Sequence, residues 1–388
     1  MLIQELLMYI KNTNKIVEMI AKMGAYDAIT QEIFHNIIRF IYGNYHLILD
    51  DLDWYNSEAQ HFVETAKSEG KSLDLDTAKA LVFAEFAMEG GSYTIENSDA
   101  MVKDDLEKQV KLLKSEEYYS NPFIKNLKFD KASNDAIRIE ICQLKPMTMI
   151  ARDTLIHTKN KITIPRIGFF EEAINYPVSV NTKDQALSAI TPREISAYQK
   201  VIDKAHGKVL NLGLGIGYFA YMCSLKDDVE KITVIEPNQD LISIFKEHIL
   251  PQFEHREKIE LVNANYKEYL EELKDKTFDF CNNDITEYGT KLDLYLGLKK
   301  LCHKFKKMEV AFSFEDEAGI YLFSYLFSAL VQEARRTIDN VDSFVMTEVI
   351  DEDSTIVNAL KQIYKKVKIT TPDELAHYMN YKTLIKML

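Results

Sequence analysis

The sequence has few cysteines and no long uncharged apolar run, and both shortages narrow the class of protein. Its four cysteines stand far apart in 388 residues with no C-x-x-C spacing, so the pattern predicts neither a disulfide framework nor a zinc site. No stretch is apolar for the length of a membrane span, and residues 1–23 carry charges throughout rather than the uncharged core of a signal peptide. We therefore expect a cytoplasmic protein with reduced thiols and no membrane partner.

Glycine, proline and positive charge are also scarce. The chain has 13 glycines and 8 prolines, too few for long disordered stretches, and 46% of its residues are hydrophobic. Its 47 lysines and arginines stand against 60 aspartates and glutamates, which gives a formal net charge of -13. An acidic chain has no general attraction to phosphate backbones, so we expect no nucleic-acid partner. The length allows two domains with cores of their own.

The first third of the chain has the periodicity of amphipathic helices. In the segment that begins MLIQELLMYI, apolar residues recur every three or four positions, and similar helical patterns follow in IFHNIIRFI, LDTAKALVFAEFAM and DDLEKQVKLL. The sequences EGKS and EGGS read as breaks between helices. We therefore predict an all-α N-terminal domain over residues 1–130, which serves for packing or pairs two copies of the chain as a homodimer.

The period changes near residue 136, where apolar residues begin to alternate. AIRIEICQL, KITIPRIGFF and YPVSVNT read as strands, and they predict a small β-rich linking segment over residues 131–190. A helix is expected to begin at Pro192, with Thr191 as its cap and Glu194 in its first turn. From there to about residue 340, apolar strands alternate with amphipathic helices, which predicts a parallel sheet covered on both faces. Residues 341–388 read as a helical C-terminal extension.

The segment VLNLGLGIGYFAYM, residues 209–222, places three glycines between the first of these strands and the following helix. A strand that ends in glycines and runs into a helix exposes backbone N–H groups at the carboxyl edge of the sheet, where doubly wound folds bind ligands. Gly213, Gly215 and Gly217 follow a G-x-G-x-G pattern. Dinucleotide-binding proteins have G-x-G-x-x-G instead, and Tyr218 stands where the later glycine would fall. NAD is therefore disfavoured as a cofactor.

This pattern resembles motif I of the class I S-adenosylmethionine-dependent methyltransferases, and the neighbouring strands strengthen the resemblance. Glu236 ends the next strand, where a carboxylate is expected to accept hydrogen bonds from both ribose hydroxyls. Asn265 stands where the family holds the adenine amino group, and Asp284 matches the family acid beside the methionine end or the substrate. The resemblance covers about residues 160–320. It implies a doubly wound, Rossmann-like α/β domain over residues 191–340 that binds S-adenosylmethionine.

The resemblance also implies a set of cofactor-binding residues. They are Asn211, Gly213, Gly215, Gly217, Tyr218, Glu236, Asn265 and Asp284. Asn211 and Asn265 are amides where the family usually carries acids. An amide still accepts a hydrogen bond, but roughly half the strength of a charge-assisted bond is lost. Weaker binding of S-adenosylmethionine, or a related ligand in its place, is the expected consequence.

Methyl transfer to a small molecule is the activity that the resemblance implies. The sulfonium group of such a cofactor is already activated, so the protein mainly aligns the reactants and excludes water. Where the acceptor must lose a proton, Asp284, Glu287 or a nearby tyrosine is the expected catalytic base. The histidines show no metal-ligand spacing, so no metal is expected. The pattern does not identify the acceptor.

Two other functions stay open. The spacing of Asp284 and Glu287 also resembles the acidic pair with which spermidine synthases orient a polyamine, so aminopropyl transfer to a cationic amine is the first alternative. Two carboxylates suit such a substrate, and an acidic protein attracts it. The second alternative is a binding or assembly protein that kept the fold and lost the chemistry, since Asn211 and Asn265 replace acids. Binding of S-adenosylmethionine, of its decarboxylated form, or of neither distinguishes the three.

Overall fold

A computed structural model describes residues 16–21, 24, 41, 46–90, 106–129, 132–154, 156–157, 163–285, 291–339, 355–367 and 369–388. The helical patterns predicted in residues 1–15 and 25–40 lie outside these ranges. The strands are β1 (Val110–Leu113), β2 (Ile137–Leu144), β3 (Ile150–Ala151), β4 (Ile156–His157), β5 (Thr163–Ile164), β6 (Ile167–Phe170), β7 (Ile174–Asn181), β8 (Ala186–Ala189), β9 (Gly207–Leu212), β10 (Val229–Ile235), β11 (Ile259–Val262), β12 (Phe280–Asn283) and β13 (Glu309–Phe312). From β9 onward, strands alternate with helices.

The helices follow the same chain order. They are α1 (Leu52–Ser68), α2 (Leu75–Gly90), α3 (Ser115–Ser120), α4 (Pro122–Asn126), α5 (Pro192–Lys204), α6 (Tyr218–Ser224), α7 (Gln239–Ile244), α8 (Tyr266–Glu272), α9 (Lys291–Cys302), α10 (Glu315–Asp339), α11 (Thr355–Tyr364), α12 (Pro372–Tyr378) and α13 (Tyr381–Ile385). Helix α7 continues as a π-helical turn, Phe245–Ile249, and a 3-10 turn, Leu250–Gln252. The C-terminal helices pack against α9 and α10 around Leu292, Leu322 and Leu326.

A five-stranded parallel sheet forms the centre of the region predicted to alternate. Its strand order is β11-β10-β9-β12-β13, and each neighbouring pair runs parallel. The order reverses beside β9, the first strand, so the loops after β9 and β12 leave the sheet in opposite directions and open a crevice at its carboxyl edge. The mixed α/β architecture with a parallel sheet, predicted from the strand and helix patterns, is confirmed and is consistent with a Rossmann-like fold.

Helices cover both faces of this sheet, and each face has an apolar core. On one face, Val209 of β9 packs in a cluster with Val201 of α5 and Phe219 of α6. On the other, Leu210 of β9 packs in a cluster with Leu298 of α9. Because both faces are buried, the strands are apolar at successive positions rather than at alternate ones, as their sequences indicated.

Helix α5 begins as the sequence predicted, and its start matters because the helix lines the candidate site. Pro192 is the first helical residue, and the carboxylate of Glu194 accepts a hydrogen bond from the backbone N–H of Thr191 (3.3 Å). The hydroxyl of Thr191 donates to the same carboxylate. These two bonds between Thr191 and Glu194 form part of a capping box, and they fix the first turn of α5 at the end of β8.

Among the described residues, three smaller sheets lie outside the central one, and the smallest is the antiparallel pair of β4 and β5. In the first, β2 and β7 pair over their full lengths as antiparallel neighbours, and β8 adds an edge strand. In the second, β6 lies between β3 and β1, and it runs parallel to β1. The β-like character predicted for AIRIEICQL, KITIPRIGFF and YPVSVNT is therefore found in β2, β5, β6 and β7.

The expectation of an all-α N-terminal domain is not confirmed. Val110–Leu113, which was predicted to extend the helix in DDLEKQVKLL, is strand β1 and pairs with Ile167–Phe170. Val110 and Leu112 are buried while Lys111 between them is exposed, a period of two that the short segment concealed. One edge of β6 offers backbone hydrogen-bond partners to this segment, and this tertiary interaction overrides its helix propensity. Helices α1 and α2 are helical as predicted.

The third glycine of the loop is required by packing within the fold. Gly217 has a φ of 89°, and a Cβ built on it would lie 2.2 Å from the ring of the buried Phe245. We predict that Gly217→Ala lowers the free energy of unfolding by about 1–3 kcal/mol. The matched control is Gly297→Ala inside α9, where an added Cβ meets no atom within 4 Å. That change should raise stability by up to about 1 kcal/mol. Urea denaturation of both variants measures the difference, and equal effects would contradict this packing account.

Candidate functional site

A cavity of about 590 Å³ lies at the carboxyl edge of the central sheet. Its walls are the loop after β9, the end of β10, the start of α8, the loop after β12, the first turns of α5 and α10, and strand β8. Of the residues predicted from the sequence, Gly213, Gly215, Glu236 and Asp284 line it together. The volume is in the range of small-molecule sites. The structure thus places four predicted residues, from three separate segments, around one space.

The glycines at this edge bring the loop close to neighbouring protein segments. Gly213 has a φ of 98°, and an added Cβ would lie 2.4 Å from the carbonyl oxygen of Asp284. Gly215 has a φ of 54°, and its added Cβ would lie 3.1 Å from the hydroxyl of Ser188 on β8. Side chains are therefore excluded by the backbone conformation and by adjacent protein atoms. These contacts draw the loops after β9 and β12 together at the crevice.

Glu236 connects two loops through its carboxylate. Its Oε2 accepts a hydrogen bond from the backbone N–H of Leu214 (3.0 Å), and its Oε1 accepts one from the backbone N–H of Asn238 (2.8 Å). The side chain is buried, and burial raises its pKa, an effect that the two N–H donors oppose. Each carboxylate oxygen has a second lone pair, so Glu236 retains capacity to accept hydrogen bonds from a ligand's hydroxyls.

Asp284 forms the opposite wall and is held by two hydroxyl groups. The phenol of Tyr198 on α5 donates to Oδ2, and the hydroxyl of Ser313 donates to Oδ1 (3.3 Å). Burial raises the pKa of Asp284 to about 6, although the bond from Tyr198 and the charge of Lys291 oppose this rise. Burial and the charge of Asp284 raise the pKa of Tyr198 far above its ordinary value. Asp284 therefore titrates near neutral pH while Tyr198 stays protonated.

Tyr198 was not among the residues predicted from the sequence. It lies on the apolar stripe of α5 together with Ile195 and Ile202, and this spacing is typical of a core residue rather than a site residue. The available signal was its hydroxyl, because a buried tyrosine requires a hydrogen-bond partner. That partner is 86 positions away in the sequence, and only the fold brings the two together.

An ion cluster forms the wall between α5 and α10. One guanidinium nitrogen of Arg193 lies 3.1 Å from the carboxylate of Glu194, and another bonds the carboxylate of Glu317. Among the described residues that line the cavity, the carboxylates are Glu194, Glu236, Asp284 and Glu317, and the cations are Arg193 and Lys291. With Asp284 ionised, the lining carries an excess of negative charge, which favours a cationic ligand.

The other predicted site residues that the structure describes do not line this cavity. The amide of Asn211 donates a hydrogen bond to the carbonyl oxygen of Gly213 in the glycine loop, and Gly217 packs against Phe245. Tyr218 is a buried residue whose hydroxyl accepts a hydrogen bond from Asn121 (2.9 Å), and Asn265 caps α8 through its side-chain oxygen. Contacts of these residues with a ligand stay predictions.

Glu287 was the second predicted catalytic residue. It lies outside the described residues. Within the ranges that the structure describes, no group of three or more histidine, cysteine, aspartate or glutamate side chains is arranged to hold a metal ion. None of the described helices combines the length and the apolar character needed to cross a membrane.

Comparisons with known proteins find similarity only among solved structures. The chain matches no protein-family model and no curated protein. An SAH-bound methyltransferase of Podospora anserina is 14% identical, with 39% of this chain aligned to 72% of that one and a TM-score of 0.27. The spermidine synthase of Thermotoga maritima is 16% identical, with 41% of this chain aligned to 60% of that one and a TM-score of 0.26. We base the functional proposal on the cavity rather than on these distant similarities.

The raised pKa of Asp284 predicts how stability depends on pH. Because the folded carboxyl holds its proton up to about pH 6 and an unfolded one only to about pH 4, stability falls as pH rises through this window. We predict that Asp284→Asn gains up to about 3 kcal/mol relative to the natural chain between pH 4 and pH 7. Urea denaturation across this range measures the gain, with Asp227→Asn, at an exposed carboxyl, as the control. A constant difference for Asp284→Asn would contradict the assignment.

Proposed function

We propose that this protein is an S-adenosylmethionine-dependent methyltransferase that acts on a small molecule. One observation carries the proposal: the glycine loop, the carboxylate of Glu236 and the carboxylate of Asp284 surround one cavity at the carboxyl edge of a parallel sheet, where its strand order reverses. Folds of this type bind nucleotide-like ligands at that position. The two carboxylates lie on different walls, so one can hold a ligand while the other takes part in chemistry.

The residues around the cavity fit an adenosyl cofactor. Glu236 has lone pairs left for ribose hydroxyls, and Leu241 and Tyr266 supply an apolar and an aromatic side chain beside it. The cavity of about 590 Å³ is large enough for a nucleoside with a short side chain. When bound, such a cofactor supplies an alkyl group on a positively charged sulfur. The excess of carboxylates in the lining is compatible with that charge.

The chain's own contribution to the reaction is orientation and proton removal. A bound cofactor would supply the alkyl group to the acceptor and retain its sulfur as a thioether, and the carboxylate of Asp284 would take the proton that the acceptor loses. A base with a pKa of about 6 is largely ionised at neutral pH and still binds a proton appreciably. Tyr198 and Ser313 hold the two carboxylate oxygens, so Asp284 presents a fixed direction to the acceptor.

Aminopropyl transfer is the second candidate, and the charge of the cavity is the observation that favours it. The ion cluster of Arg193, Glu194 and Glu317 leaves a carboxylate in excess beside Asp284. A decarboxylated cofactor carries an ammonium in place of a zwitterion, and a polyamine acceptor is also cationic. Both would be attracted to this lining.

Calorimetric titration of the purified chain tests both candidates. We predict micromolar binding of S-adenosylmethionine, and Glu236→Ala should weaken it at least about tenfold, because a charge-assisted hydrogen-bond acceptor is lost. The matched control is Glu230→Ala, at an exposed glutamate on the same strand, and its affinity should equal that of the natural chain.

The choice of ligand separates the alternatives. Preference for the decarboxylated cofactor, with binding of 5′-methylthioadenosine, would support aminopropyl transfer over methyl transfer. Absence of binding to any of these three compounds would contradict both proposals and leave the binding or assembly protein. Preference for NAD would contradict the interpretation of the glycine loop.

A further inference from the structure

We propose that Asn211 is a positioning residue that sets the glycine loop through the N–H donor of its amide. The resemblance to methyltransferases placed an acid at this position and another at Asn265. In the structure, Asn211 acts toward the loop as a hydrogen-bond donor and Asn265 acts as an acceptor. Only the acceptor can be exchanged for an ionised acid. The consequence for cofactor binding rests on the proposed function, whereas the consequence for the loop does not.

Asn211 is enclosed at the end of β9, and both ends of its amide are engaged. Its Nδ2 donates to the carbonyl oxygen of Gly213 (2.7 Å), and its Oδ1 accepts from Nδ2 of Asn282 on β12 (2.7 Å). The residue is 1% exposed. The carbonyl oxygen of Gly213 fixes this orientation, since a carbonyl only accepts and turning the amide over would bring two oxygens together there.

The bond to Gly213 fixes the first turn of the loop relative to both candidate carboxylates. The backbone N–H of Gly213 donates to the carbonyl of Ile235 (2.9 Å), and its Cα lies against the carbonyl of Asp284. Leu214, the next residue, donates its N–H to Glu236. Asn211 therefore holds Gly213 in place, and Gly213 and the adjacent Leu214 are the residues that contact Asp284 and Glu236. Asn211 does not line the cavity, so it would affect ligand binding through the position of the loop and not by contact with the ligand.

Asn265 uses only its oxygen. It caps α8, and its Oδ1 accepts hydrogen bonds from the backbone N–H groups of Lys267 (2.9 Å) and Glu268 (3.5 Å). A carboxylate accepts the same bonds and is favoured at a helix N-terminus. An ionised acid at position 211, by contrast, has no hydrogen to donate and would place a negative oxygen against the carbonyl of Gly213.

Two matched substitutions test this assignment in the ligand-free protein. Asn211→Asp at pH 8 should speed amide hydrogen exchange of residues 213–217 at least about tenfold, because the ionised acid has no hydrogen with which to hold the loop. Asn265→Asp, the same chemical change, should leave exchange in this loop within twofold of the natural chain. Equal exchange rates in the two variants would overturn the proposal whether or not the protein binds S-adenosylmethionine.

The pH profile separates positioning from a general loss of stability. A protonated aspartic acid has the shape of asparagine and donates through its O–H, so the effect of Asn211→Asp should shrink as pH falls. Burial and the carboxylates of Glu236 and Asp284 around the loop all raise the pKa of an introduced acid. Tyr198, on the same face of the sheet, stays neutral, and Cys223 of α6 has its pKa raised by burial. An exchange ratio to the natural chain that does not change between pH 5 and pH 8 would contradict a donor role.

A second variant covers the case in which Asn211→Asp fails to fold. Asn282→Ala removes the donor that orients Asn211, so it should also speed exchange of residues 213–217, though less than Asn211→Asp. S-adenosylhomocysteine affinity, measured by calorimetry on each folded variant, then connects the loop to binding. It should fall at least about tenfold in Asn211→Asp and stay unchanged in Glu230→Ala, at an exposed glutamate that does not line the cavity. No binding by the natural chain would contradict the proposed function, while the exchange data would still decide the role of Asn211.

Discussion

The carboxylate of Glu236 binds backbone N–H groups from two different loops, and the arrangement of the candidate site depends on this contact. One bond fixes Leu214 in the loop after β9, and the other fixes Asn238 at the start of α7. A buried carboxylate is unfavourable without such donors, and a hydrogen bond to a charged group stabilises by about 1.5–3 kcal/mol. The contact keeps a negative group at the cavity wall while leaving lone pairs for a ligand. Structure and ligand binding therefore use the same side chain.

The glycine loop shows the same double use. Positive φ angles and close contacts with Asp284, Ser188 and Phe245 exclude side chains at all three glycines. The close approach of Gly213 to Asp284 is needed for the glycine loop to lie beside the loop after β12, which brings the candidate base to the cavity. The sequence pattern explained the glycines by the approach of a ligand alone, and it located them at the carboxyl edge of the sheet. The structure adds that the protein itself requires them.

The sequence allowed the central sheet to be predicted because its strands are short apolar runs separated by amphipathic helices. It also indicated where Gly213, Glu236 and Asp284 would meet, since the carboxyl ends of parallel strands share one edge. It did not reveal Tyr198 or the Arg193–Glu317 pair, because both depend on contacts across 86 and 124 positions. Strand β1 was missed because Leu106, Val110 and Leu113 have the three- and four-residue spacing of a helix, which hid the alternation of Val110 and Leu112 in so short a segment.

Asn211 and Asn265 have the same side chain but different hydrogen-bonding roles, which the sequence does not distinguish. At Asn211 and Asn265 the sequence showed only that a carboxylate was replaced, and the same interpretation, weaker binding, applied to both. The hydrogen bonds distinguish them: one amide is needed for its donor, and the other serves as an acceptor that a carboxylate could replace. The identity of a polar residue specifies its chemistry only when its partners are known.

The crystal structure of the chain with S-adenosylhomocysteine is the measurement that tests the central claim most directly. The account predicts the ribose hydroxyls on the carboxylate of Glu236 and the thioether end between the Gly213–Gly215 loop and Asp284. A ligand bound elsewhere on the chain, or one in this cavity without contact to Glu236, would contradict the assignment of this edge of the sheet as the cofactor site.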